Sequence, residues 1–476
     1  MMLSTRLICR WILLALASLL TACTTLPYGS GLPAPLATSL AQTGIPASAV
    51  ALDIRTVEGR SLALHNHQAA FNPASVMKLV TTAAALELLG PNHHWMTRVH
   101  TQGHVVGDVL EGDLIIEGGG DPRLAHEDVA RLLRRLRSLG IREIRGNLLL
   151  DRSLFQPTDE DAASFDGLSS RAYNALPDAL LLDAKAISLR FFPDLLTQQV
   201  HVTMEPPMMD FVIEPPQLDN QACTSWKEKL GAVVDDRRAY FAGSYSADCG
   251  ERVLVLHPHA ISHVAYFDAV FRQLWHELGG SITGVTQEGK KPGNARELLQ
   301  WESLTLAQII RDINKYSNNV MARQLLISLP SEPNGTALTK QAGAARAKSW
   351  LATIGVNTQP VVIENGSGLS RHERLSAESI SAVLQHEWQS PLMPEFIASL
   401  PIVGTDGTMS RSLTNSAATM QGHIKTGSLN EVVSMAGYVK AKSGHWISVV
   451  CMINHPEANK NRAMFNQLLE WIVERY

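Results

Sequence analysis

Strand-like runs stand at the two ends of this chain, and their placement limits the fold more than any other feature. Residues 47–66 read as two short strands around a Glu58-Gly59 turn. Near the other end, Thr419 to Thr426, Val432 to Val439 and Trp446 to Ile453 read as three more, with Lys442-Ser443-Gly444 as a turn, and a last helix follows from Asn461 to Tyr476. Two early strands and three late ones, flanked by terminal helices, build one antiparallel sheet from both ends of the chain. The expected class is therefore α/β, an antiparallel sheet flanked by helices, with the middle of the chain inserted into it.

That middle is strand-rich. An amphipathic helix is expected from Glu127 to Leu139, with short strands around Ile141 to Leu150 and near Gln198 to Met204, and the pairs Pro206-Pro207 and Pro215-Pro216 punctuate a separate piece. At 476 residues the length suggests about three domains. The expected division is a body of residues 36–95 and 290–476, a first inserted module of 96–160 and 236–289, and a second, nested module of 161–235.

The first residues have the pattern of an export signal: Arg6 and Arg10, then an apolar run from Trp11 to Leu20, too short to span a bilayer. Residues 1–22 are read as this signal and 23–35, rich in Pro, Gly and Ser, as a tether. Leu20-Thr21-Ala22-Cys23 resembles the lipobox of bacterial lipoproteins, making Cys23 a candidate for lipidation. Ordinary cleavage beside an incidental cysteine is the alternative. Thr24 is no retention aspartate, so by analogy with enterobacterial sorting a lipoprotein of this kind would be held at the outer membrane. Cys223 and Cys249 flank a polar segment of a chain bound for an oxidising compartment and are expected to pair. Cys451, in an apolar run, is expected to be a buried free thiol. A net charge of -4 offers no basic field for a polyanion, so nucleic-acid binding is not expected.

Three short motifs carry chemistry. Asn72-Pro73-Ala74-Ser75 opens an alanine-rich helix, and Ser75-Val76-Met77-Lys78 puts a hydroxyl and an amine three residues apart on one helical face, where the amine can take the hydroxyl proton. Tyr316-Ser317-Asn318-Asn319 falls between the expected helices Leu306 to Lys315 and Val320 to Leu326, where a loop can point polar groups into a cleft. Lys425-Thr426-Gly427, followed by Ser428, lies on the first late strand, and glycine there lets a substrate backbone come close. Singly, these read as a surface pair, a capping turn and a strand end. Jointly, in this order and on these elements, they are informative.

The set resembles the penicillin-recognising acyl-serine enzymes, the DD-peptidases and serine beta-lactamases. Ser75 and Ser317 stand 242 positions apart, more than compact beta-lactamases have room for. A long insert there is similar to the D-alanyl-D-alanine carboxypeptidase/endopeptidase family, peptidase family S13, the low-molecular-mass class C penicillin-binding proteins of the penicillin-binding protein 4 type. Gly112-Asp113-Leu114 through Asp121-Pro122, Asn365 through Arg371, and Gly404 through Thr408 look like segments of the same family. The resemblance implies a penicillin-binding transpeptidase/beta-lactamase-like domain with two inserted strand-rich modules. It implies Ser75 as nucleophile, neutral Lys78 as general base and Ser317 as proton relay to the leaving amine. Asn319 would bind the substrate amide, and Lys425 and Thr426 the terminal carboxylate, beside Gly427 and Ser428. The backbone N–H groups of Ser75 and Ser428 would form the oxyanion hole. Expected partners are peptidoglycan stem peptides and cross-links and beta-lactam antibiotics, with membrane contact only through a lipid on Cys23, in the periplasm. No cofactor or metal is implied.

Two departures stand out. Asn365, preceded by Glu364, occupies the position before Gly-Ser-Gly where an acidic residue is expected, and the second motif has another frame, Tyr316-x-Asn318, as in class C beta-lactamases. The rival functions are a serine beta-lactamase, for which no Glu-x-x-Leu-Asn segment is present, and a catalytically idle penicillin-sensing wall lipoprotein. His257, His259 and His263 lack a carboxylate or cysteine at ligand spacing and read as a solvated loop rather than a metal site.

Overall fold

A computed structural model describes residues 31–158, 160–330 and 336–476. The expected signal, and Cys23 with it, lies outside the described residues.

Both chain ends do meet in one sheet. β1 (Val50–Thr56) and β2 (Ser61–His65) form the early hairpin, and β3 (Gly422–Leu429), β4 (Val432–Lys440) and β5 (Trp446–Asn454) the late meander. The order is β2-β1-β5-β4-β3, antiparallel throughout, with Val50 opposite Ile453 and Lys425 opposite Ala436. Both faces are covered, which is why β4 and β5 are nearly continuous in buried apolar residues instead of alternating.

α1 (Ala34–Thr43) and the last helix pack on one face, where Ser39 donates to Asn461 Oδ1 at 2.5 Å. The chain was expected to remain a tether to Pro35. Instead α1 begins at Ala34, because proline in a first turn lacks only an N–H that the helix leaves unpaired anyway. The apolar core of the other face is shared by helices that include α2 (Met77–Leu89), α3 (Leu306–Lys315), α4 (Asn319–Ser328) and α5 (Ala377–Gln389). α2 has no polar stripe, and every residue from Met77 to Leu86 is buried, so it runs through the core as a central rod. The helix that closes the chain, α6 (Arg462–Arg475), completes the layers.

β3 begins three residues later than the Thr419 expected from sequence. Met420 takes a left-handed backbone (φ +60°) and Thr419 Oγ1 bonds back to Leu413, which delays the extended run. Lys425-Thr426-Gly427 thereby sits in mid-strand on the free edge of the sheet.

The insert has its own core, built on the helices His126–Ser138 and His263–Glu277 and several small sheets. Its five-stranded sheet includes Arg296–Glu302, paired with Met96–Thr101, so that sheet reaches past residue 289, where the sequence had the insert closing. Cys223 and Cys249 are disulfide-bonded with Cα atoms 4.9 Å apart, whereas Cys451 is a buried free thiol whose pKa burial pushes up to about 12. The histidine segment is only in part the solvated loop expected, for His259 is exposed and His257 is not. His257 is buried with Nδ1 2.9 Å from the Ser169 carbonyl oxygen, and burial holds His257 and His263 neutral, each near about 4.

Candidate active site

The turn that presents Ser75 is tied down from several sides. Asn72 Oδ1 accepts the Ala74 N–H at 2.9 Å, Asn72 Nδ2 donates to the Ser370 carbonyl at 2.9 Å, and Asn454 pairs with both backbone groups of Asn72 at 2.7 and 3.0 Å. Ser434 Oγ, on β4, donates to the Pro73 carbonyl at 2.6 Å. These ties hold Ala74 in a left-handed conformation (φ +44°), which costs on the order of 1–3 kcal/mol for a residue with a side chain. Ser75 then enters the short 3₁₀ turn Ala74–Val76 that leads into α2.

One turn on, Lys78 is fully buried and its ammonium nitrogen meets three oxygens. It lies 3.0 Å from Ser75 Oγ and 2.6 Å from Asn319 Oδ1, and it donates to the Ser367 carbonyl. Burial, and then the nearby cation Lys425, holds its pKa far below that of a free lysine. An amine so placed is neutral for part of the time and lies within hydrogen-bond reach of the Ser75 hydroxyl.

Ser317 joins α3 to α4 with a left-handed backbone (φ +56°), and its hydroxyl accepts from Lys425 Nζ at 3.0 Å. Lys425 also donates to the Thr426 carbonyl at 2.7 Å and, fully buried, is pushed down to about 7. The serine frame is thus the one facing the cleft. Tyr316 is exposed, and Asn318 caps α4 by accepting the Met321 N–H at 3.1 Å.

Gly427 brings β3 onto the serine turn. A Cβ there would stand 2.7 Å from Ser75 N and 3.0 Å from Ala74 Cβ, so no other residue lets the edge strand lie this close to Ser75. Ser428, next along, is exposed at the cleft mouth, where its hydroxyl accepts from Arg462. Thr426 Oγ1 faces Thr408 Oγ1 at 3.2 Å, and the Thr408 loop is anchored by Lys315, which pairs with Asp406 at 2.6 Å and donates to Leu400 O at 2.9 Å. Ser75, Ser317, Asn319, Thr426 and Ser428 all line one cleft of about 930 Å³, with Phe165 and Tyr173 contributed by the insert.

Sequence reasoning missed the residues behind this cleft. Glu373, fully buried, accepts the N–H groups of Glu364, Asn365 and Gly366 at 3.3, 3.0 and 2.8 Å through one oxygen. Burial still lifts its pKa above the ordinary carboxylate range. It shapes the loop whose Ser367 carbonyl holds Lys78. Asn365, read as a departure, folds the same loop: its Oδ1 accepts from Ser367 N and Oγ at 2.9 and 2.7 Å, and its Nδ2 donates to Leu369 O at 3.0 Å. An uncharged amide does this work, because its Nδ2 supplies a donor that a carboxylate lacks.

Residues 32–474 match the model of the D-Ala-D-Ala carboxypeptidase 3 (S13) family. A D-alanyl-D-alanine carboxypeptidase from an Actinomadura species is 30% identical over 403 residues, covering 78% of this chain and 71% of the relative. The D-alanyl-D-alanine carboxypeptidase DacB of Haemophilus influenzae is 25% identical over 395 residues, 80% of each chain. The crystal structure of penicillin binding protein 4 (dacB) from H. influenzae superposes over 92% of this chain and 100% of its own, with a TM-score of 0.75 at 23% identity, and so shares its fold. By its sequence from end to end of the folded body, the chain belongs to the D-Ala-D-Ala carboxypeptidase 3 (S13) family of serine-type hydrolases.

Proposed function

We propose that this chain hydrolyses D-alanyl peptide bonds of peptidoglycan, as a D-Ala-D-Ala carboxypeptidase and DD-endopeptidase, through an acyl-enzyme on Ser75, and that penicillin acylates the same serine. The observation that carries this reading is the contact of buried Lys78 Nζ with Ser75 Oγ at 3.0 Å, beside a second buried cation and under a strand edge that can pair with a peptide.

Neutral Lys78 takes the Ser75 hydroxyl proton as Oγ bonds to the carbonyl carbon of the penultimate D-alanine. The oxygen that becomes negative accepts from the N–H groups of Ser75 and Ser428, an interaction stronger in the transition state than in the bound substrate. Breakage of the C–N bond sends the electron pair to the leaving nitrogen, which receives the proton that Lys78 had gained, passed on through the Ser317 hydroxyl held by Lys425, so that Lys78 is neutral again. Asn319 and Thr426 orient the peptide, and Gly427 admits it. Water then adds to the ester carbon, its proton passes to Lys78, and Ser75 Oγ departs and regains a proton. The balance is one peptide bond and one water consumed, one carboxylate and one amine formed.

The first module, 96–160 with 236–289, and the nested module, 161–235, would serve as walls that limit which peptides enter, with Phe165 and Tyr173 in contact with the cleft. The protein would act in the periplasm, tethered to the outer membrane if Cys23 is lipidated. Among the described residues no helix is long and apolar enough to cross a membrane.

Incubation with labelled penicillin, followed by intact-mass measurement of the wild type and Ser75→Ala, tests the reading. A slowly hydrolysed adduct on the wild type alone is expected. No adduct, an equal adduct on Ser75→Ala, or turnover as fast as a beta-lactamase overturns it.

A further inference from the structure

Far from the cleft, where the end of α2 leans on α5, three metal-ligand side chains converge. Glu87 comes from α2, and His386 and Glu387 from α5, with one ligand atom of each within 4.8 Å of the others. Glu387 is 0% exposed, yet neither carboxylate oxygen has a hydrogen-bond partner, and the buried Nε2 of His386 has none either. A carboxylate removed from water with no donor costs several kcal/mol, and folded proteins meet that cost by protonation, ion pairing or coordination.

The local geometry favours coordination. His386 Nε2 and Glu87 Oε1 stand 3.5 Å apart, too far for a good hydrogen bond. Two ligands on a tetrahedral zinc, with bonds of about 2.0–2.1 Å, lie about 3.3–3.4 Å from each other, close to the observed spacing. Ser390 Oγ donates to Glu87 Oε1 at 2.8 Å, the kind of outer contact that orients a ligating carboxylate. Glu87 reaches solvent, which supplies both a way in and a water ligand. The other grouping of such residues among those described, His126 with Glu127 and Asp183, differs in kind: His126 is already engaged by Asp183 at 3.2 Å, and no buried group is left unpartnered.

We propose that Glu87, His386 and Glu387 bind a divalent transition-metal cation of the zinc type, completed by water, which clamps α2 to α5. Glu87 follows Lys78 by nine residues, about 13.5 Å along the helix axis, so the cation belongs to the scaffold and not to the reaction. It would fix the far end of the rod whose near end carries the nucleophile.

The test uses the full chain, stripped with a chelator and titrated with zinc alone by calorimetry, with thermal unfolding and penicillin acylation followed in parallel. One equivalent should bind with micromolar or tighter affinity and raise the Tm, and chelator should reverse the rise. Glu87→Gln, at the exposed ligand, and His386→Asn should each weaken zinc binding at least tenfold while acylation stays within twofold of wild type. Lack of saturable binding at 100 μM zinc, or undiminished binding by the Glu87→Gln/His386→Asn double variant, would overturn the site. Neither outcome bears on Ser75, whose reactivity is read separately in the same samples.

Discussion

Replacing Gly427 with alanine tests whether the strand edge and the serine turn form one rigid unit. The added methyl would lie 2.7 Å from Ser75 N and 3.0 Å from Ala74 Cβ, and it would also crowd Ser434 Oγ. Relief to an ordinary contact of about 3.5 Å needs Ser75 N and the strand to separate by roughly 0.8 Å. Neither partner yields easily, because one is backbone and the other is the hydroxyl that clasps Pro73 at 2.6 Å. Misplacement of reacting groups by about 1 Å costs on the order of a hundredfold in rate, so the second-order acylation constant for a fluorescent penicillin should fall roughly 50- to 100-fold. Stability should fall by about 1–3 kcal/mol, the usual range for overpacking, as read from thermal unfolding. Adding Ser434→Ala removes the hydroxyl clash but not the one at Ser75, and it also deletes the bond to the Pro73 carbonyl, so the double variant should not regain the rate. Acylation of Gly427→Ala within threefold of wild type would refute the close approach as a requirement.

Two further outcomes depend on charge. Glu373→Gln removes a carboxylate whose field favours the charged form of Lys78, so the pKa of Lys78 drops further and the acid limb of the acylation pH profile should move to lower pH; a shift to higher pH contradicts the assigned geometry. Lys425 titrates near about 7 when folded and near 10.5 when free, so between these values the unfolded chain holds the extra proton and this residue lowers stability most on the acid side. Lys425→Met should therefore gain most over wild type below about pH 7, by an amount on the order of a few kcal/mol that closes toward pH 10.5, as measured by denaturant unfolding at several pH values. A gap that widens with pH would sink this account.

What could be read in the sequence was what is local or periodic. Ser75 with Lys78 has helical spacing that gains meaning only with Ser317 and Lys425 downstream, while β1 and β2 show by alternation around a glycine turn, and β4 and β5 by apolar runs too short for helices. The choice between Tyr316 and Ser317 was open because it is made by one left-handed backbone angle, which Ser317 tolerates with no compositional sign. Glu373 and the Ser367 carbonyl come from an irregular loop, and their importance lies in the long-range contacts that put them behind Lys78. His257 read as solvated because proline and other histidines surround it, and only the packing of the Ser169 segment over it makes it dry. The late start of β3 had a similar cause, a backbone turn at Met420 inside a stretch of unremarkable residues.

The pairing of Val50 with Ile453 also has a consequence in time. The strands that must sit side by side at the middle of the sheet are made some 400 residues apart, so the early hairpin waits for almost the whole chain before it gains its neighbour. Closing so long a loop is slow, although the entropic penalty grows only with the logarithm of its length. Ser75 is synthesised early, but the edge strand bearing Lys425 and the loop bearing Ser367 arrive in the last quarter of the chain. A nascent or truncated polypeptide therefore holds Ser75 and Lys78 without the Ser367 carbonyl and the Lys425 cation that surround that amine, and without a completed sheet to stand on. Reactivity toward penicillin then marks the moment of completion, and a wall-cutting activity stays silent until the last strand has docked.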